Sequence, residues 1–294
     1  MGTLSKILFP VEFSPRCQGA ARYVEALARR FHSDVILLHV VSPIPTPLGA
    51  PPVLAYSDAA NLDAERTADR RERLNQFLAG ELEGIAVRRV LRHGDPAERI
   101  VVEATREGCG LIVIPTHGYG PFRRFLLGSV TAKVLHDAVC PVWTGPHMEE
   151  GEDTKPEPVQ FRKLLCAVDQ EEDTRQAARW AARFAAECGA SLSLLHVLPI
   201  TVVRMGAVYF DPEWRTILAR ETSVWMRQLS TEIGITSEPL VEIGEVPATV
   251  GAAARDTGAD LLVIGRGRPH GVHGRLRTNS YAILRQAPCP VVAV

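Results

Sequence analysis

The sequence has almost no net charge, because 33 lysine and arginine residues balance 34 aspartate and glutamate residues to give −1. This balance does not favour broad binding to nucleic acid or to an anionic membrane, since both require a basic surface. No segment reaches the roughly 18 consecutive apolar residues that a membrane-spanning helix needs. The first residues, MGTLSKILFPVEF, also lack the pattern of a signal peptide. We therefore expect neither nucleic acid nor membrane among the partners.

Cysteine is scarce and unclustered. None of the six cysteines belongs to a CxxC pair, and no group of histidines and cysteines has the spacing of a zinc site. Free cysteine usually behaves as a small core residue. We expect buried, reduced thiols, no metal site and a cytoplasmic protein.

Short apolar runs of strand length recur along the chain. In the first half they lie at residues 6–11, 35–41, 86–92 and 111–114. The run at 35–41 is apolar throughout, which is typical of a parallel strand covered on both faces. A length of 294 residues suggests about two domains.

Capping residues predict where several helices begin and end. Ser14-Pro15 and Asp95-Pro96 each place a capping side chain before a proline, which is typical of a helix start. The second of these helices is predicted to end near Gly108. A proline-rich loop is predicted over 42–56, followed by an amphipathic helix over roughly 58–82.

The second half of the chain repeats the first. KILFPVE, VILLHV, LIVIP and CPVW recur in order as KLLCAVD, LSLLHV, LLVIG and CPVV. A repeat of this length indicates two homologous domains. The acidic segment between them has no apolar pattern, so we predict a linker. The predicted boundaries are 1–147 for the first domain, 148–160 for the linker and 161–294 for the second domain.

Each half alternates strands and helices in the order β-α-β-α-β-α-β-α-β. This order predicts an α/β fold of two Rossmann-like domains, each an open five-stranded parallel sheet with helices on both faces. Ligands of such sheets bind beyond the carboxyl ends of the strands, where the strand order reverses. Glu12 and the segment 116–118 are expected to meet there.

A glycine-containing loop follows the strand at 111–114. Gly118 lies in this loop, and Gly128-Ser129 opens the next helix after nine intervening residues. Glycine lets a backbone approach a ligand closely, and the N–H groups of a helix start attract phosphate. The pattern indicates an anion pocket, with a glycine turn needed only for packing as the alternative.

The motifs LFPVEFSP, LLHV, GDP, HG, GSV and CPV together resemble the universal stress protein family, and the resemblance covers both halves. It implies the five-stranded sheet, pairing of two domains through their last strands, and, in one branch of the family, ATP bound at the reversal point. That branch has the pattern G-x-x-G, nine residues, then G-S/T. Pro115 replaces its first glycine, and Glu12 replaces its usual aspartate.

Carried onto this sequence, the resemblance implies a nucleotide site in the first domain, with Val40 meeting adenine through its backbone. The implied residues are Pro10, Glu12, Val40, Ile114, His117, Gly118, Gly128, Ser129 and Val130.

The second domain keeps only part of this pattern. Asp169, Val197 and Gly265 occupy matching positions, whereas Arg277 replaces the critical glycine and Thr278 the serine. The loop is also basic, with Arg266, Arg268 and Arg275. Two alternatives stay open: this domain lost its ligand, or it holds an anion through side chains.

These features predict a cytoplasmic stress-response regulator that binds ATP or AMP, with Mg²⁺ as an optional partner, mainly in the first domain and with little turnover. No catalytic residue is predicted, since no dedicated base or Walker lysine is present. The alternatives are a slow ATPase or nucleotidyl-transfer enzyme, and a nucleotide-free interaction module. A homodimer is a further expectation.

Two histidines and one pair of arginines are interpreted as structural and not as functional residues. His39 and His196 occupy equivalent strand positions and are predicted to be hydrogen-bonded core residues. The pair Arg70-Arg71 is predicted to be solvated surface.

Overall fold

The computed structural model describes residues 4–43, 52–116, 127–145, 159–200, 213–266 and 278–294; the side chains of residues 52–63, 172, 173, 215 and 278 lie outside this description. The described first half alternates five strands with four helices. Its elements are β1 (Lys6–Pro10), α1 (Pro15–Phe31), β2 (Asp34–Val41), α2 (Pro52–Gln76), β3 (Val87–His93), α3 (Pro96–Glu107), β4 (Leu111–Val113), α4 (Ser129–Asp137) and β5 (Val142–Thr144).

The described second half repeats this order of elements. They are β6 (Lys163–Ala167), α5 (Glu172–Cys188), β7 (Ser191–Pro199), α6 (Trp214–Glu232), β8 (Leu240–Gly244), α7 (Val246–Thr257), β9 (Leu261–Ile264), α8 (Thr278–Gln286) and β10 (Val291–Ala293).

All ten strands form one continuous sheet in the order β3-β2-β1-β4-β5-β10-β9-β6-β7-β8. Neighbouring strands are parallel within each half, whereas β5 and β10 pair antiparallel, with Trp143 opposite Val292. The predicted fold class is confirmed. The expected pairing of the two halves through their last strands is present as well.

The predicted helix caps are confirmed. The hydroxyl of Ser14 accepts the N–H of Cys17 at 3.4 Å, and the carboxylate of Asp95 accepts the N–H of Glu98 at 2.8 Å. Gly108 ends α3 with a φ of 63°, a left-handed conformation that favours glycine.

The second helix begins earlier than predicted. It starts at Pro52 and ends at Gln76, so its first turns cover residues that were assigned to the proline-rich loop. Proline suits the first helical turn, because its missing N–H would have no intrahelical partner there. After the helix, Leu78 adopts a φ of 55° and the chain turns towards β3.

Helices cover the two faces of the sheet as two separate layers. Helices α1, α2, α5 and α6 share one hydrophobic cluster, and α3, α4, α7 and α8 share the other. Each cluster contains residues from both halves of the chain. Both cores are therefore continuous across the β5–β10 junction.

Aromatic side chains fill the core beside this junction. Trp143 is fully buried, 5.5 Å from the ring of Phe161 and 6.1 Å from that of Phe184. Its indole Nε1 has no hydrogen-bond partner among the described residues. The ring therefore stabilises the junction by packing.

The predicted domain boundaries stay predictions, because residues 146–158 lie outside the described part of the chain. Within the part that is described, no helix combines the length and the apolar character needed to cross a bilayer.

Replacing Trp143 tests how much the junction depends on its packing. For Trp143→Ala we expect a loss of about 3–5 kcal/mol in the free energy of unfolding, because a large buried ring leaves a cavity. Trp143→Phe keeps one ring and removes the unpartnered N–H, so we expect less than half that loss. Urea unfolding measures both values. Val139→Ala, at a side chain 71% exposed, is the control and should change little. Equal effects of the two Trp143 variants would contradict the packing role.

Candidate functional site

The strand order of the first domain reverses between β1 and β4. From β1 the chain continues to β2 on one side, and from β4 it continues to β5 on the other. Pro10 ends β1 opposite Leu38 of β2, and Glu12 follows two residues later. The carboxyl edge at this reversal is where an open α/β sheet leaves room for a ligand.

Two hydrogen bonds hold the end of β4 against the start of α4. The N–H of Gly128 donates to the carbonyl of Thr116 at 2.8 Å, and the hydroxyl of Thr131 donates to the carbonyl of Pro115 at 2.8 Å. The two ends of the intervening loop are therefore closed on each other. Thr131 was not predicted, because its only local signal in the sequence is a hydroxyl in the first helical turn.

The N-terminus of α4 carries no capping side chain. Gly128 is its N-cap, with an extended backbone at φ −61° and ψ 146°. A helix start has N–H groups without intrahelical partners, and the aligned peptide dipoles make it positive. Ser129 and Val130 supply the first of these N–H groups, so this end is suited to an anion.

Apolar side chains from three elements near the strand reversal belong to one hydrophobic cluster. Val40 of β2, Ile114 after β4 and Val130 of α4 belong to the same hydrophobic cluster, which also includes Leu127. Three residues that were predicted from the sequence on separate elements thus share one cluster. His117 and Gly118 lie outside the described residues, and Leu127 was not foreseen.

Glu12 is half-buried and held by the cap of α1. Its Oε1 accepts a hydrogen bond from the hydroxyl of Ser14 at 2.9 Å. Burial raises the pKa of this carboxyl above its usual value, and the Ser14 bond and the charge of Arg16 partly oppose that rise. The carboxylate therefore has a defined position at the carboxyl edge.

Both strand histidines are hydrogen-bonded, and His196 is a buried core residue as predicted, whereas His39 is half-buried. His39 Nδ1 lies 2.7 Å from the carbonyl of Val11, and His196 Nδ1 lies 2.8 Å from that of Val168. Because a carbonyl only accepts, Nδ1 carries the proton in both rings. Burial lowers the pKa of each histidine, so the neutral form is favoured.

The corresponding carboxylate of the second domain is bonded to its own helix. Asp169 Oδ1 accepts the N–H of Glu171 at 3.0 Å and the hydroxyl of Thr174. The carbonyl of Gly265 accepts a bond from Ser280 at 3.5 Å, a longer counterpart of the Thr131–Pro115 bond. Val197 is buried in the core.

The described part of the basic loop faces the first domain. Arg266 donates from Nη1 to the carbonyl of Ala138 at 2.6 Å, and its backbone N–H donates to Val294 at 3.1 Å. Arg266 thus contributes to the junction between the domains. Arg277 lies outside the described residues, and Thr278 is described only as the first residue of α8.

Two successive β/α units of the same order, each with a strand reversal, define a tandem Rossmann-like protein. The model of the universal stress protein family matches residues 3–144 and again residues 160–294. The chain therefore belongs to the universal stress protein family, with two copies of the family's domain in one chain.

Several relatives match about one domain. A universal stress protein of Methanocaldococcus jannaschii is 29% identical over 137 residues, which are 47% of this chain and 79% of the relative. One of Thermus aquaticus is 31% identical over 136 residues, which are 46% of this chain and 94% of the relative.

Solved structures match nearly the whole chain. The universal stress protein of Archaeoglobus fulgidus aligns with 99% of this chain and 97% of its own, at a TM-score of 0.68 and 20% identity. It shares the fold.

The two histidines make stability depend on pH. Their pKa values lie below the ordinary 6.5 only in the folded chain, so the unfolded chain binds more protons as pH falls. We expect the free energy of unfolding to fall between pH 7 and about pH 5.5. Urea unfolding of the His39→Gln, His196→Gln double variant should show a smaller fall.

Glu12 acts in the opposite direction, since a raised carboxyl pKa contributes stability that is lost as pH rises from about 4.5. Glu12 is present in both the parent protein and the double variant. The difference between their pH dependences of unfolding free energy therefore reports the histidines. His93→Gln, at an exposed histidine, is the control. An unchanged pH dependence in the double variant would contradict the assignment.

Proposed function

We propose that the first domain binds an adenine nucleotide, ATP or AMP, and that the protein acts as a nucleotide-responsive regulator with little or no turnover. One observation carries the proposal: the Gly128–Thr116 bond holds the end of β4 against an uncapped helix start. Val40, Ile114 and Val130 belong to one hydrophobic cluster, and Val130 lies in the first turn of that helix. Backbone N–H groups beside an apolar surface suit a ligand with a phosphate chain and a flat base.

The backbone of β2 supports adenine recognition by Val40. The carbonyl of Leu38 accepts the N–H of Val11, so the backbone groups of Leu38 face β1. Alternate residues of a strand direct their backbone groups to the same neighbour, so those of Val40 face the same side. The strand pairing of β1 ends at Pro10, opposite Leu38. The groups of Val40 therefore lie beyond β1, where the edge of a base can reach them.

The other assignments follow from this placement. The ribose lies towards Glu12, whose carboxylate is positioned by Ser14. The phosphates lie at Ser129 and Val130, where the helix dipole and free N–H groups favour negative charge. Gly118 and His117 complete the proposed site, and a Mg²⁺ ion would accompany ATP through its phosphates.

For the second domain we propose weak nucleotide binding or none. The sequence places Arg277 at the position of Gly128, where a Cβ and a long side chain would obstruct the helix start. We accordingly expect one nucleotide per chain.

The proposal also includes a cytoplasmic location and a possible homodimer. Free cysteines, five of them buried, agree with a reducing compartment such as the cytoplasm. Because β5 and β10 pair within one chain, a homodimer would have to use another surface.

Titration calorimetry with ATP and Mg²⁺ tests the proposal. We expect one site per chain, and Gly128→Arg should weaken binding by about tenfold or more, because a Cβ and a long side chain obstruct the helix start. Gly80→Arg introduces the same residue at a turn where a Cβ meets nothing within 4 Å. This control should bind like the parent protein.

Absence of ATP and AMP binding at millimolar concentration would refute the proposal. Equal affinity in the Gly128→Arg variant would place the nucleotide elsewhere. Phosphate release from ATP, measured with and without the Glu12→Ala change, separates the regulator from a slow ATPase. Turnover that depends on Glu12 would favour the enzyme.

A further inference from the structure

A cleft lies at the carboxyl ends of β1 and β2, beside α2. Its volume is about 270 Å³. It is lined by Glu12, His39, Val40, Val41, Ser42, Arg66, Arg70 and Arg73. Glu12 and Val40 also belong to the proposed nucleotide site, so the two sites are neighbours.

Three arginines of α2 face this cleft. Positions 66, 70 and 73 lie on one face of a helix, because residues three and four apart are neighbours on its surface. Arg73 is anchored: its Nη2 donates to the carbonyl of Phe13 at 3.4 Å, and its guanidinium carbon lies 4.7 Å from the centre of that ring. Arg66 and Arg70 are half-buried, whereas Arg71 points to solvent.

The charges of Arg66 and Arg70 are not neutralised by the described residues, because neither forms an ion pair with a described carboxylate. Glu12 lines the same cleft, but its carboxylate is bonded to Ser14, and the arginine that lowers its pKa is Arg16. His39 adds no negative charge.

The corresponding helix of the second domain, α6, packs on the sheet without an arginine at this histidine. In the second domain, His196 occupies the position of His39, and its ring meets Trp225 of α6 edge-on at 5.5 Å. No arginine is among the groups that shift the pKa of His196, whereas Arg70 and Arg73 both lower that of His39. Among the described residues, arginines thus act on His39 of the first domain and none acts on His196 of the second.

We propose that Arg66 and Arg70, supported by the anchored Arg73, bind a phosphate group in this cleft. A guanidinium presents a planar fork of N–H donors that matches phosphate oxygens, and three such groups suit a doubly charged anion. The phosphate belongs either to the ribose of a nucleotide held by Glu12 and Val40, or to a separate small molecule. The inference stands without the nucleotide proposal, because the arginine geometry is independent of Gly128.

Calorimetric titration with two probes tests the cleft. Pyrophosphate reports a separate anion, and adenosine 3′,5′-bisphosphate reports a phosphate on the ribose. For at least one probe we expect Arg70→Gln and Arg66→Gln each to raise Kd by about tenfold, the effect of losing one charge-assisted hydrogen bond. Arg71→Gln removes the same charge from the adjacent, solvent-facing position and should change Kd by less than about twofold.

The Gly128→Arg variant separates the two sources and the two proposals. Pyrophosphate binding that persists in this variant and is lost in Arg70→Gln supports a separate anion site. Bisphosphate binding that is weakened by both changes supports a ribose phosphate. Loss of ATP binding in Gly128→Arg alone concerns only the nucleotide proposal.

The inference is overturned if neither probe binds at millimolar concentration, or if Arg70→Gln and Arg71→Gln have equal effects. Thermal unfolding followed by circular dichroism checks that the variants are folded. All three arginine positions are half-buried or exposed, so we expect unchanged unfolding temperatures.

Discussion

The antiparallel pairing of β5 with β10 is the interaction on which the rest of the molecule depends. An isolated five-stranded unit would leave its last strand as an unpaired edge, and exposed edges invite pairing with other chains. Here the two last strands satisfy each other through three residue pairs. Trp143 and the aromatic rings around it extend the core across the same line. One sheet with two core layers results, and each layer contains residues from both halves.

The direction of this pairing also separates the two ligand regions. All strands are parallel within a half, and the junction is antiparallel. The carboxyl ends of the two sets of strands therefore lie at opposite edges of the sheet. Glu12 and Asp169 cannot act on one ligand. Each copy is free to diverge: Glu12 and Asp169 are both bonded to the start of the following helix, and Glu12 also lines a cleft beside Val40.

Local signals in the sequence were sufficient for most elements. Ser14, Asp95 and Gly108 cap helices as predicted, because a capping side chain or a glycine acts on backbone groups within a few residues. The predicted start of α2 was wrong, because proline is compatible both with a loop and with a first helical turn, where Pro52 lies. Of the candidate site, Val40, Ile114, Gly128 and Val130 were foreseen through the family pattern. Thr131 was not, because a lone hydroxyl carries no spacing signal.

The sequence by itself determined the repeat, the α/β class and the glycine at the start of α4. Each of these follows from short-range patterns of hydrophobicity and turn residues. Only the tertiary structure decided what surrounds each charge. Arg70 and Arg71 are adjacent arginines that no sequence pattern distinguishes. Arg70 nevertheless lines a cleft, whereas Arg71 faces solvent. Arg266 reads as part of a basic loop, yet it bonds Ala138 of the other domain. The orientation of a helix face and the partner of a long side chain depend on residues far away in sequence, so packing alone settles them.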